Sequence, residues 1–141
     1  MENIDFQKRV EAILQEDCDY PPEAYDFVNA AVKYTIEALI AAGAASGRRH
    51  VNAAELLDGI VRFAQDQYGP MAAAVLTQWH LQKPTDIGRV VFNMVNAKLL
   101  SRSDNDQESD FDTDYNLTAK LQAPYRQQAQ PVPKVQAPLI D

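Results

Sequence analysis

Apolar residues recur along the first hundred residues at the three- and four-residue intervals of amphipathic helices. Phe6, Val10, Ile13 and Leu14, for example, fall on one face of a helix over residues 5–16. The same spacing continues downstream and is interrupted by breaks that contain proline or glycine. The pattern therefore predicts an all-α fold of about five helices, at residues 5–16, 22–42, 53–68, 71–78 and 86–100.

Three of the predicted helices begin at recognisable start signals. Pro22 suits the first turn of the second helix, where the missing N–H group of proline is not needed. Asn52 and Glu55 have the spacing of a capping box, in which each side chain accepts a hydrogen bond from the backbone of the other residue. Thr85 is the predicted cap of the fifth helix.

The composition changes abruptly after Leu100. Residues 101–117 hold six acidic side chains, at every second position from Asp104 to Asp114, against one arginine. We expect a small hairpin or an acidic loop there, followed by a short packed element. Prolines, glutamines and few apolar side chains then predict an extended tail. The chain thus divides into a helical domain (1–100), an acidic loop with a short packed element (101–125) and a Pro/Gln-rich tail (126–141) that is disordered alone.

Charge, cysteine content and hydropathy narrow the class of protein. The net charge of −7 opposes binding to phosphate backbones, so we do not expect nucleic acid as a partner. A lone cysteine, Cys18, cannot form a disulfide within the chain, which favours a reducing compartment. The longest apolar stretch, Ala38 to Ala45, is far shorter than the ~20 residues that span a bilayer. The sequence predicts a cytoplasmic protein that does not associate with membranes.

No constellation of residues predicts catalysis, a cofactor or a metal. An EF-hand loop needs glycine at its sixth position and glutamate at its twelfth. Neither register of the acidic run provides them, because loops that start at Asp104 or Asp110 have other residues at both positions. Carboxylates on either side of Cys18 disfavour its thiolate form. We therefore predict a protein that is not an enzyme and has no catalytic, metal or cofactor site.

Three features are candidate contacts for a protein partner. Arg48, Arg49 and His50 form a basic loop just before a helix start, where an anion or an acidic partner could bind. Trp79 and His80 form a turn between two helices. The C-terminal tail is the third candidate, because extended proline-containing segments bind at a reduced ordering cost. The predicted function is non-enzymatic protein–protein interaction, as an accessory module of a larger assembly.

An alternative interpretation concerns residues 70–103, which have the spacing of a helix-turn-helix followed by a wing. In the winged-helix arrangement, the second helix enters the major groove of DNA. Arg89, Asn93 and Lys98 would be its contacts to nucleic acid. The acidic residues of the predicted wing oppose this function, because nucleic-acid binders gather basic side chains on the docking face. A mainly α, winged-helix-like regulator is therefore the alternative to the interaction module.

Several short runs resemble the Minf-type family of uncharacterised small proteins of planctomycetes and verrucomicrobia. The resemblance covers about residues 5–125. It rests on Pro22-Glu23-Ala24-Tyr25, Arg49-His50-Val51, Glu55-Leu56-Leu57, Tyr68-Gly69-Pro70-Met71-Ala72, Val75-Leu76, Trp79, Asp86-Ile87-Gly88, Val91-Phe92-Asn93, Leu99-Leu100 and Asp110-Phe111.

The resemblance implies no activity, cofactor or site residue, but this chain departs from it at two positions. This chain has His80 where the family resemblance implies glycine, and Lys98 where it implies a small residue. Histidine adopts a positive φ less readily than glycine does. The backbone of the turn after Trp79 is therefore the feature to compare with the structure.

Overall fold

The computed structural model describes residues 2–44, 51–100 and 107–129. Within these segments the fold is all-α, with no strand. The five predicted helices are confirmed, and the predicted short element after Tyr115 forms a sixth. The bounds are α1 Glu2–Glu16, α2 Pro22–Ala41, α3 Ala53–Tyr68, α4 Ala72–Gln78, α5 Pro84–Asn96 and α6 Leu117–Ala129, with 3-10 turns at Gly69–Met71 and Glu108–Phe111.

Two starts of helices differ in how well the sequence predicts them. The capping box of α3 is confirmed, since Asn52 Oδ1 accepts from Glu55 N at 2.8 Å and Glu55 Oε1 accepts from Asn52 N at 3.0 Å. The predicted cap of α5, Thr85, is wrong, because this helix begins at Pro84. The carboxylate of Asp86 accepts from the backbone N–H group of Lys83 instead, at 2.9 Å.

The helices α2 and α3 form an antiparallel pair at the centre of the molecule. Phe27 lies against Phe63, with 5.4 Å between the ring centroids, and further along α2 the side chain of Thr35 faces Gly59 of α3. A Cβ atom at position 59 would overlap the Thr35 hydroxyl. The buried hydroxyl instead donates to the carbonyl of Ala31 at 2.7 Å. Glycine at this one point therefore lets the two helices approach closely.

All six helices contribute to one hydrophobic core. Burying a large apolar side chain contributes about 1.5–3 kcal/mol, so the largest fully buried residues account for much of the stability. They are Tyr25, Val28, Leu57, Ile60, Leu76, Leu81, Ile87, Val90, Met94 and Leu117.

Three helices end in the same left-handed turn. After each helix, a backbone N–H group that follows the turn donates to a carbonyl in the last turn of the helix. Leu81 N donates to the Leu76 carbonyl and Leu99 N to the Met94 carbonyl, both at 2.8 Å. This is the Schellman motif, whose turn residue has a positive φ. That residue is Gly43 after α2, but His80 (φ 66°) after α4 and Lys98 (φ 65°) after α5. The two non-glycine residues occupy the two positions where the family resemblance implies a smaller residue.

The segment that follows α5 packs back onto it. The 3-10 turn Glu108–Phe111 places the ring of Phe111 over Gly88. A small hairpin and an acidic loop are the two alternatives predicted for this region. Residues 107–116 form a loop with a 3-10 turn and no strand. The rest of the predicted hairpin, residues 101–106, lies outside the described residues. The basic loop of Arg48, Arg49 and His50 and the tail residues 130–141 lie outside them as well.

Helix α6 lies beside α3 and runs in the same direction. The Tyr115 hydroxyl donates to Asp58 Oδ1 at 2.8 Å, whereas Gln65, further along α3, donates from Nε2 to the carbonyl of Lys120 at 3.2 Å. That carbonyl is the one that Pro124, inside α6, cannot bond, because proline has no N–H group. Gln65 thus replaces the missing hydrogen bond. The helix continues to Ala129, four residues into the segment predicted as tail.

The left-handed turns lead to a first prediction, made for Lys98. Replacement by glycine should stabilise the protein by about 1 kcal/mol, because a side chain in the left-handed conformation costs roughly that much. Lys98→Ala is the matched control and should change the free energy of unfolding very little, since alanine shares the strain. Urea unfolding of the three proteins measures the difference. Equal stabilities of the glycine and alanine variants would contradict the prediction.

A second prediction concerns the contact between Gly88 and Phe111. A Cβ atom at position 88 would lie 2.8 Å from Cβ and Cγ of Phe111, so the loop would have to move. Gly88→Ala should therefore destabilise the protein by about 1–3 kcal/mol, although alanine favours helices. Asn96→Ala, at an exposed position of the same helix, is the control and should be nearly neutral. A stabilised Gly88→Ala variant in thermal unfolding would show that Phe111 does not pack there.

Candidate functional site

The loop between α1 and α2 is held against α5 by a set of polar contacts. Arg89 Nε donates to Asp17 Oδ2 at 2.9 Å, and Asn93 Nδ2 donates to the same oxygen at 3.1 Å and to the Tyr25 hydroxyl at 3.0 Å. Arg89 also reaches Asp19, with 3.5 Å between Nη2 and Oδ2. We call Asp17, Asp19, Tyr25, Arg89 and Asn93 the Asp17 network.

The hydrogen bonds of this network determine its ionisation. Burial on its own would raise the pKa of Asp17, but the hydrogen bonds from Asn93, from the backbone of Asp19 and from Arg89 outweigh burial and lower it. The hydrogen bond to Asp17 and its charge raise the pKa of Arg89 further. Near neutral pH, a carboxylate and a guanidinium therefore face each other, and the loop is fixed to α5 by a charge-assisted bond.

The network occupies two of the three residues that the alternative interpretation assigns to nucleic acid. Arg89 and Asn93 bond within the chain, so the charge of Arg89 is balanced by Asp17 and Asp19. Lys98, the third, is exposed at the end of α5. The groove beside these residues, about 450 Å³ between α1 and α5, also contains Glu16. Phosphate groups would meet acidic side chains on this face, so the geometry does not favour the nucleic-acid alternative.

Trp79 and His80 are both used by the fold. The ring of Trp79 contacts Phe27 and Tyr68, with centroid distances of 5.6 and 5.9 Å. His80 Nδ1 lies 2.8 Å from the carbonyl oxygen of Asp19, which requires a proton on that nitrogen. The turn after α4 is thereby joined to the loop that carries the Asp17 network. Trp79 stays half-buried and His80 exposed, so part of each remains accessible to a partner.

A second accessible surface, which the sequence interpretation missed, lies on the C-terminal half of α2. Beyond Thr35, no residue from 36 to 44 is buried, although all but Glu37 and Gly43 are apolar. Ile36, Leu39 and Ile40 are half-buried, and the remaining members, Ala38, Ala41 and Ala42, are exposed. We call these six residues the apolar end of α2. The one signal in the sequence is composition, since seven of the nine residues from 36 to 44 are apolar.

Across residues 2–44, 51–100 and 107–129, no helix is both long enough and apolar enough to cross a bilayer. In the same segments, histidine, cysteine and carboxylate side chains do not gather in groups of three that could hold a metal ion. Cys18 is exposed as a free thiol.

Comparisons of the chain with protein-family models, with curated proteins and with solved structures found no match. Membership of the Minf-type family therefore stays a prediction.

The Asp17 network leads to a prediction about acid stability. A carboxyl group whose native pKa is lowered stabilises the folded state above its unfolded pKa of about 3.9, and this contribution is lost as the pH falls through the native value. Asp17→Asn should therefore lose roughly 1 kcal/mol of stability near neutral pH, and the difference from the unmodified protein should shrink below about pH 4.

The measurement is urea unfolding of both proteins at several pH values. Asp66→Asn, on an exposed turn of α3, is the matched control and should leave the neutral-pH stability nearly unchanged. A stability loss for Asp17→Asn that has the same size at pH 3 and pH 7 would contradict the assignment of a lowered pKa.

Proposed function

We propose that this protein is a non-enzymatic interaction module of a larger assembly, and that it binds its protein partner through the apolar end of α2. The observation that carries the proposal is the apolar composition of this helix end together with its incomplete burial: Ala38, Ala41 and Ala42 are exposed, and Ile36, Leu39 and Ile40 are only half-buried. Soluble monomers rarely leave contiguous apolar surface open unless it binds something. The proposal also places the protein in the cytoplasm, where the exposed thiol of Cys18 would stay reduced.

The small side chains of this surface indicate what kind of structure it binds. Ala38, Ala41 and Ala42 share one face of α2 and let another backbone approach closely, while Leu39 offers a larger side chain at the edge of that face. A second helix with complementary ridges fits such a surface, because the axes of packed helices lie about 8–10 Å apart and small side chains at the contact favour the short end of that range. The proposed partner segment is therefore an amphipathic helix.

The charged residues near this surface in the sequence indicate which side chains border the apolar face of the partner helix. One acidic residue, Glu37, lies among the residues of this surface along α2, and a few residues after α2 the chain has Arg48, Arg49 and His50. The excess of basic residues favours acidic side chains beside the apolar face of the partner. The proposal therefore keeps Arg48, Arg49 and His50, the candidate contacts from the sequence, as residues that favour an acidic partner.

The test is affinity purification of the full chain from cells that naturally express it, with the unmodified protein compared with Ala41→Glu. We expect the variant to recover at least about tenfold less of the partner, because a charge without a counterpart at the centre of an interface costs more than 1.4 kcal/mol. Ala74→Glu, at an exposed alanine of α4, is the matched control and should recover the partner normally. Circular dichroism establishes that both variants are folded.

Two outcomes would contradict the proposal. Equal recovery of the partner by Ala41→Glu and Ala74→Glu would place the interface elsewhere. A homodimer of the unmodified chain that Ala41→Glu converts to a monomer, as measured by light scattering, would assign the surface to self-association instead. Recovery that also falls for a variant with Arg48→Glu and Arg49→Glu would support the acidic partner helix.

A further inference from the structure

A different surface lies at the opposite end of α3, where the chain turns into α4. Met71, in the 3-10 turn Gly69–Met71, is 61% exposed and is the one large hydrophobic side chain in the described segments that is exposed. Pro70 beside it is exposed as well. Tyr68, just before the turn, is half-buried and meets the edge of the Trp79 ring at 5.9 Å. We call Tyr68, Pro70, Met71 and Trp79 the Met71 surface.

The path of α6 brings the C-terminal end of the chain to this surface. Because α6 runs parallel to α3 and its Lys120 carbonyl already lies at Gln65, the second half of α6 lies beyond Gln65, towards the end of α3. The helix also packs against the 3-10 turn that contains Met71. The C-terminal end of α6, at Ala129, therefore lies on the side of the molecule where Met71 is exposed.

The sequence of residues 130–141 suits an apolar and aromatic surface. They contain Pro131, Pro133 and Pro138, the aliphatic residues Val132, Val135, Leu139 and Ile140, and only two charged side chains. Prolines preset an extended conformation that binds aromatic surfaces at a low ordering cost. At about 3.1 Å per residue, the segment reaches on the order of 35 Å, which is ample to cross from the end of α6 over Tyr68 and Trp79.

We infer that residues 130–141 bind back onto the Met71 surface of their own chain. The aliphatic side chains of the segment cover Met71, and the prolines lie against the half-exposed rings of Tyr68 and Trp79. The contact is independent of the apolar end of α2, which lies at the other end of the α2–α3 pair. A failure of one proposal therefore leaves the other untouched.

Trp79 is the only tryptophan in the chain, so its fluorescence reports on this surface directly. The test compares the full-length protein with a variant that has Val135→Asp, Leu139→Asp and Ile140→Asp. We expect the emission of the variant to shift to the red and its quenching by acrylamide to increase about twofold, since a covered ring becomes exposed to water. A matched control with Gln130→Asp, Gln136→Asp and Ala137→Asp adds the same charge to polar or small positions and should behave as the unmodified protein.

A second variant tests the surface itself. Met71→Asp changes a side chain that the folded helices leave exposed, so the core stays intact, and it should increase acrylamide quenching as much as the tail variant does. Combining the two sets of substitutions should add nothing further, because both remove the same contact.

Three results would overturn the inference. The first is quenching that is the same in the tail variant, its control and the unmodified protein. The second is an additive effect of Met71→Asp and the tail variant, which would mean that they act at separate places. The third is a fluorescence difference that appears only at high protein concentration, because the segment of another copy would then be the occupant.

Discussion

The packing of the other helices depends on the close approach of α2 and α3. Thr35 lies over Gly59, and the two helices come near enough for Phe27 to meet Phe63 and, beyond it, the rings of Tyr68 and Trp79. A larger residue at position 59 would push the helices apart and separate this row of rings. The other helices pack around the pair: α1 and α5 contact α2, while α4 and α6 contact α3.

The sequence predicts the helices well because its apolar periodicity and its breaks agree with each other. The capping box of Asn52 and Glu55 is a local signal, and the structure confirms it. Thr85 shows the limit of that reasoning, since Asp86 is the residue that bonds at the start of α5. Its carboxylate accepts from the backbone N–H groups of Gln82 and Lys83 and from the hydroxyl of Tyr20, the last at 2.7 Å. A contact with a residue so distant in sequence cannot be read from the spacing of neighbours.

The candidate site was less predictable than the fold for the same reason. Arg89 and Asn93 have the residue types of a nucleic-acid contact, and only the position of Asp17 shows that they bond within the chain. His80 looks like a free turn residue in the sequence, but its ring holds the loop before α2 through the carbonyl of Asp19. Conversely, the apolar residues after Thr35 look like ordinary core, because an apolar composition does not distinguish a buried helix end from a partly exposed one, and the packing shows that none of them is fully buried.

The hydrogen bond from Gln65 to the carbonyl of Lys120 has a consequence for how this sequence can diverge. Pro124 removes a helical hydrogen bond from α6, and a side chain of another helix replaces it. A relative that exchanges Pro124 for a residue with an N–H group restores the bond within α6 and frees position 65 to vary. A relative that keeps the proline needs a donor at position 65. The two positions, far apart in sequence, should therefore covary, with the identity of one constraining the other across any set of descendants of this chain.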